Sequence, residues 1–174
     1  MSPERGKLKN IFLVGFMGAG KTTVGRILAA RLGYRYCDSD KVIETKTGKA
    51  VSEIFSELGE ARFRELESET LESLSGKIKQ VIATGGGAVM RERNWDAMRK
   101  GGVAVYLRAP FTVIWDRIRH SRTRPLLKVD NPLEASRELL EKRAPYYEKA
   151  DLAVDTEGLS VEEIASRIIK ELDI

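Results

Sequence analysis

Short apolar runs rich in β-branched and aromatic residues recur at residues 11–14, 34–37, 81–84, 103–107 and 152–154, with helically spaced apolar positions between them. That alternation predicts a parallel α/β architecture. The first helix is expected over residues 20–32, closed by Gly33. The last opens on a capping box, Ser160 with Glu163, ahead of the apolar spacing Ile164, Ile168, Ile169 and Leu172. Asn131-Pro132 reads as the N-cap and first-turn proline of another helix. Pro145 is expected to interrupt that helix, because proline lacks an N–H and its ring clashes with the preceding turn, and this would leave Arg143 beside a break. The turn-rich, basic residues 120–131 are a candidate mobile loop. No internal repeat or low-complexity tract interrupts the pattern.

At 174 residues the chain fits one compact domain, and 42% hydrophobic with 32% charged residues is ordinary globular composition. Thirty Lys and Arg against 26 Asp and Glu give a net charge of +4, which favours anionic partners without choosing their class. The lone Cys37 cannot form an internal disulfide, so a reducing compartment is expected. The lone His120 offers no ligand cluster for zinc and reads as an exposed loop residue. Arg5, Lys7 and Lys9 before the apolar residues 11–17 imitate a secretory signal, but Lys21 and Arg26 interrupt the stretch. No apolar segment approaches the roughly 20 residues of a membrane helix, and a cytoplasmic location is the expectation.

Residues 15–22, Gly15-Phe16-Met17-Gly18-Ala19-Gly20-Lys21-Thr22, satisfy the P-loop pattern G-x-x-x-x-G-K-[ST] and stand between a predicted strand and a predicted helix. In such a loop the backbone N–H groups of residues such as Gly18, Ala19 and Gly20 turn toward phosphate oxygens at a helix N-terminus. Lys21 can reach the β- and γ-phosphates, and the Thr22 hydroxyl can ligate magnesium. P-loops serve switches, motors and small-molecule kinases alike, so the remaining chain must decide. Asp155-Thr156-Glu157-Gly158 imitates a GTPase D-x-x-G switch, but no N-K-x-D guanine motif accompanies it. Residues 152–155 also imitate a Walker B strand, yet no aromatic and basic groove supports a nucleic-acid translocase. Asp155 therefore reads as an ordinary strand-end residue.

Asp38 and Asp40, two apart after the second predicted strand, can both face a site at the sheet's carboxyl edge, although turn and cap chemistry explains aspartates there equally well. Glu60, Arg64 and Glu67 share one helix face, where the carboxylates could orient the guanidinium, and Phe55 and Phe63 offer apolar walls. A solvated ion-pair face is the rival reading. Thr84-Gly85-Gly86-Gly87 ends the third strand where a ligand could approach the backbone closely. Arg117, Arg119, Arg122 and Arg124 make the loop region basic, and an arginine there could close over a γ-phosphate.

Taken in order, the P-loop, Asp38-Ser39-Asp40, the segment Gly59-Glu60-Ala61-Arg62-Phe63-Arg64-Glu65-Leu66-Glu67, Thr84-Gly85-Gly86-Gly87, Arg124-Pro125-Leu126-Leu127 and Lys142-Arg143-Ala144-Pro145 closely resemble the shikimate kinases. The resemblance implies a single P-loop NTPase domain over residues 1–174, a three-layer αβα fold with a five-stranded parallel sheet. It also implies a lid at about residues 119–131 and a substrate-binding subdomain at about residues 38–75. The implied reaction is ATP-dependent phosphorylation of the 3-hydroxyl of shikimate in aromatic amino-acid biosynthesis, with Mg2+. By the same resemblance Arg64 and Arg143 clamp the shikimate carboxylate, Gly86 and Gly87 supply backbone donors, and Asp40 orients the attacking hydroxyl. Lys21 and Arg124 act on the phosphates, Thr23 joins the ATP-binding loop, and Arg117 stacks on adenine. Thr22 ligates the metal directly and Asp38 through water. The partners implied are ATP and shikimate, with no nucleic acid or membrane, and a monomeric state. A kinase acting on gluconate or a nucleotide is the alternative within the enzyme class. A regulatory or nucleic-acid-dependent NTP-binding protein is the alternative outside it.

Overall fold

The computed structural model describes residues 10–124 and 127–174. The basic residues Arg5, Lys7 and Lys9, and Pro125-Leu126 of the lid motif, lie outside them. Among the described residues five strands, β1 (Asn10–Val14), β2 (Arg35–Asp38), β3 (Gln80–Ala83), β4 (Val103–Arg108) and β5 (Leu152–Asp155), form one parallel sheet in the order β2-β3-β1-β4-β5. Each strand lies within a residue or so of its expected place.

The period of two along a strand sorts the core into two layers. Phe12 and Val14 face one side with Ile82, Ala104 and Tyr106, and Ile11 and Leu13 face the other with Val81, Val105 and Leu107. The second side is covered by α1 (Lys21–Leu32) through Val24 and Leu28, and by α7 (Val161–Leu172) through Ile164 and Ile168. The first side is covered by α3 (Val51–Ser75), α4 (Glu92–Gly101), α5 (Phe111–Ile118) and α6 (Pro132–Tyr147), with Leu71, Trp95, Ile114 and Tyr147 among the contacts. A smaller cluster, Ile43, Ile54, Phe63 and Leu66, packs α2 (Ser39–Thr47) against α3 and gives residues 38–75 a core of their own.

Ser160 and Glu163 form the expected capping box of α7, and Asn131 Oδ1 accepts from Glu134 N–H to cap α6. The break expected at Pro145 is absent: α6 continues to Tyr147. The proline falls in the last turn, where it forfeits one intrahelical bond, and Glu148 N–H still donates to Ala144 O at 3.2 Å. A different interruption carries weight. Gly59 sits inside α3 at φ 82°, ψ 163°, a left-handed conformation open to glycine, so α3 is two helical segments set at an angle. Glu60, Arg64 and Glu67 all lie on the second segment.

Candidate active site

β1 ends at Val14, the chain turns through residues 15–20, and α1 begins at Lys21, so the first N–H groups of α1 open onto the carboxyl edge of the sheet. Gly18 holds φ 78°, and a Cβ there would stand 2.7 Å from Ile118 Cγ2. The loop is thus buttressed from outside by the end of α5, whose Arg117 Nη1 donates to Gly18 O at 2.8 Å. Arg117 in this structure thus touches the loop backbone and lines the cleft.

Loop and sheet edge form a cleft of about 610 Å³, lined by Gly18, Ala19, Gly20, Lys21, Thr22 and Thr23 of the loop and α1 and by Asp38, Asp40, Gly85 and Gly86 at the ends of β2 and β3. Arg117 and Arg124, Leu159 and Val161 also line it. The last two were not expected from sequence; they are the apolar residues just before and at the start of α7, a surface suited to an aromatic base.

Lys21 is the cation at the centre. Its ammonium donates to Gly15 O at 2.6 Å and Phe16 O at 2.9 Å. Burial lowers its pKa to about 8, with the Asp40 carboxylate opposing that shift and Arg124 adding to it. Lys21 and Arg124 both line the cleft. Asp38 ends β2 and caps α2: its Oδ1 accepts from Asp40 N–H at 2.9 Å and Lys41 N–H at 3.2 Å. Cap chemistry and a place in the cleft coexist at this residue. Asp40, in the first turn of α2, has a raised pKa, chiefly from burial and then from the Asp38 charge, while Lys21 and Arg64 pull it down.

The glycine loop after β3 joins this cleft to the segment beyond. Gly85 N–H donates to Ser39 Oγ at 3.2 Å, which ties the loop to the start of α2. A Cβ on Gly85 would lie 2.8 Å from Glu67 Oε1 and 3.0 Å from Asp40 Oδ1, so two carboxylates meet over that residue. Neither oxygen has a hydrogen-bond partner among the described residues, and Glu67 is fully buried. Arg64 lies across Gly87 and donates from Nη1 to Glu67 Oε2 at 2.9 Å, while Glu60 Oε1 is 3.5 Å from its Nε. Its guanidinium sits over Phe63 at 5.2 Å and Phe55 at 6.0 Å from the ring centroids. The buried pair and its aromatic walls replace the solvated ion-pair face. Burial raises the Glu67 carboxyl to about 7 in spite of Arg64. Arg143, from α6, reaches Gly86, with Nη1 3.3 Å from the place of a Cβ.

Two cations thus lean on consecutive glycines while the Asp40 carboxyl stands beside the next glycine back. The expected substrate residues Asp40, Arg64, Gly86, Gly87 and Arg143 come together from α2, α3, the glycine loop and α6. Asp155 does not join them: it pairs with Arg108 across β4 and β5 at 2.6 Å, as an ordinary strand-end residue. His120 is exposed.

The profile of the family described as shikimate kinase matches residues 17–173. The chain belongs to the shikimate kinase family. A shikimate kinase of Thermodesulfovibrio yellowstonii is 52% identical over 95% of this chain and 96% of its own length. A solved shikimate kinase of Acinetobacter baumannii, in complex with shikimate, superposes with a TM-score of 0.91 at 41% identity, covering 95% of this chain and 93% of that one. A gluconokinase of Sinorhizobium meliloti shares the fold alone, at a TM-score of 0.59 and 19% identity over 95% of this chain and 91% of its own. The protein is accordingly an enzyme of the P-loop kinase type that phosphorylates shikimate at the expense of ATP.

Proposed function

We propose that the γ-phosphoryl group of ATP passes to the 3-hydroxyl of shikimate within this cleft, with the residue roles that follow. The observation that carries the reading is the placement of Arg64 and Arg143 against Gly87 and Gly86, beside Asp40, at the end of a cleft whose other wall is the P-loop. Two guanidiniums and the adjacent glycine N–H groups suit a carboxylate, since charge-assisted donors converge on one anionic group. With the carboxylate held there, the ring of the acid extends toward Asp40, whose carboxyl accepts from the attacking hydroxyl and takes its proton as the bond to phosphorus forms. The raised pKa of Asp40 makes it a better proton acceptor than an exposed aspartate.

On the donor side the N–H groups of residues 18–23 hold the phosphates, Lys21 leaves its carbonyl partners for the β- and γ-oxygens, and Arg124 draws in over the charge that develops between donor and acceptor. The lid around residues 119–131 excludes water from the transfer. Arg117, Leu159 and Val161 bound the space for adenine. The hard oxygen donors Thr22 and Asp38, which both line the cleft, fit Mg2+, with Thr22 as direct ligand and Asp38 acting through water. Among the described residues no group of three or more His, Cys, Asp or Glu could hold a metal unaided, which suits an ion that takes its other ligands from phosphate and solvent. When bound it neutralises phosphate charge.

The enzyme works as a cytoplasmic monomer without nucleic-acid or membrane partners in this reading. Among the described residues the exposed large apolar side chains are Leu58 on α3, Leu133 on α6, and Ile78, Val129 and Ile174 in the segments between or after elements, and this dispersal along the chain supports the reading. No helix among the described residues is long and apolar enough to cross a membrane. ADP release measured with shikimate, gluconate and nucleoside monophosphates as acceptors tests the whole. Turnover confined to shikimate, with phosphate on its 3-hydroxyl, is expected; comparable turnover of gluconate or a nucleotide would overturn it.

A further inference from the structure

Tyr147 is the last residue of α6 and has no solvent exposure. Its ring stacks on Tyr106 of β4, with centroids 5.1 Å apart and planes 20° from parallel. The hydroxyl donates to Gly86 O at 2.6 Å, across 61 residues of sequence. Burial pushes the phenol pKa far upward, while the charge of Arg143 and a hydrogen bond from it act in the opposite sense. The oxygen therefore keeps its proton for the Gly86 carbonyl, and Arg143, one helical turn earlier on α6, reaches the same glycine, so Tyr147 and Arg143 meet at the Gly86–Gly87 peptide.

The Gly86 carbonyl and the Gly87 N–H belong to one planar trans peptide, so they point in opposite directions. Three glycines in succession leave that plane free to rotate unless something holds it. Among the described residues the Gly87 N–H donates to no protein acceptor, whereas Gly85 N–H is already committed to Ser39. A donor on Gly86 O thus decides where the Gly87 N–H points.

We propose that Tyr147 is a positioning residue of the substrate site: its hydroxyl locks the Gly86–Gly87 peptide, and with it Arg143, so that N–H and guanidinium form one donor surface for the shikimate carboxylate. The inference rests on the carboxylate assignment made above. It also gives a purpose to the continuation of α6 past Pro145, since a helix broken there would not deliver Tyr147 to the glycine loop.

Tyr147→Phe keeps the ring, its stacking and its volume and removes only the hydroxyl. The expected result is a KM for shikimate raised roughly 3–15-fold, the size of one lost neutral hydrogen bond, with KM for ATP and kcat at saturating shikimate within about twofold of wild type. The backbone resonance of Gly87, followed by NMR during shikimate titration, supplies a second readout that tolerates partial destabilisation: its binding-induced shift should shrink in the variant. A purely structural tyrosine would lower Tm and leave both the shikimate KM and the Gly87 shift at wild-type values, and that result overturns the proposal. Equal increases in the two KM values overturn it too. Shikimate affinity left at the wild-type value in Arg64→Ala and Arg143→Ala would instead sink the carboxylate assignment itself, so the two failures are told apart.

Discussion

Replacing Gly87 with alanine probes the anion clamp without removing any charged group. Gly87 has φ −96°, ψ −1°, a conformation alanine adopts without strain, so the backbone has no reason to move. The added methyl would overlap Nη2 of Arg64 and stand 2.7 Å from Nη1 and 2.8 Å from Cζ. Ordinary contact begins near 3.4 Å, and the planar guanidinium must therefore retreat by roughly 1 Å. It can do so only by straining the 2.9 Å bond to the buried Glu67 or by leaving the faces of Phe63 and Phe55. A charge-assisted hydrogen bond is worth about 1.5–3 kcal/mol, so KM for shikimate should rise by roughly 10–100-fold. KM for ATP should stay within about twofold, because the P-loop wall is untouched. Steady-state kinetics with each substrate varied in turn, together with a melting curve, measure all three quantities. An unchanged shikimate KM in a well-folded Gly87→Ala enzyme would refute the placement of the carboxylate beside Arg64.

Lys21→Met keeps the aliphatic volume and loses the ammonium, so kcat should fall by at least about 10²-fold while circular dichroism and Tm stay near wild type. Asp40→Asn should lower kcat by roughly 10²–10⁴-fold with ATP affinity nearly intact, and single-turnover kinetics will show whether the chemical step is the one that slowed. Glu67 should also give stability a pH dependence. Its carboxyl titrates near 4.5 when unfolded and about 7 when folded, so between those values the unfolded chain releases its proton first and stability falls as pH rises. The fall amounts to about 3 kcal/mol at most. Glu67→Gln should remove this dependence, and Tm scans from about pH 5 to pH 8 should show a flatter profile than wild type.

The three central strands were legible because they are buried on both faces and therefore read as apolar runs, such as residues 11–14, while the edge strands β2 and β5 keep exposed positions. The P-loop and the capping box of α7 were legible because they are local: residues a few positions apart satisfy each other's hydrogen bonds. Pro145 misled for the complementary reason. The local rule is sound for a helix interior, but the sequence does not show that this proline lies in a final turn. Gly59 went unread as a kink because a lone glycine in a helical pattern is ordinary until its dihedral angles are known. The Glu60, Arg64 and Glu67 spacing was visible, yet its choice between solvated face and buried clamp depends on what covers it, and the cover comes from Gly87 and Phe63. Tyr147 carried no local signal at all, since its partner is 61 residues away. Resemblance supplied the site residues across those distances; the structure supplies the contacts that make them one site.

Calorimetric titration of shikimate into the wild-type enzyme, Arg64→Ala and Arg143→Ala, with ATP titrated into the same three proteins as reference, tests the clamp most directly. Either substitution should weaken shikimate binding by roughly 10–150-fold and leave ATP binding within about twofold. Equal losses for both ligands, or shikimate affinity unchanged in either variant, would rule out the clamp.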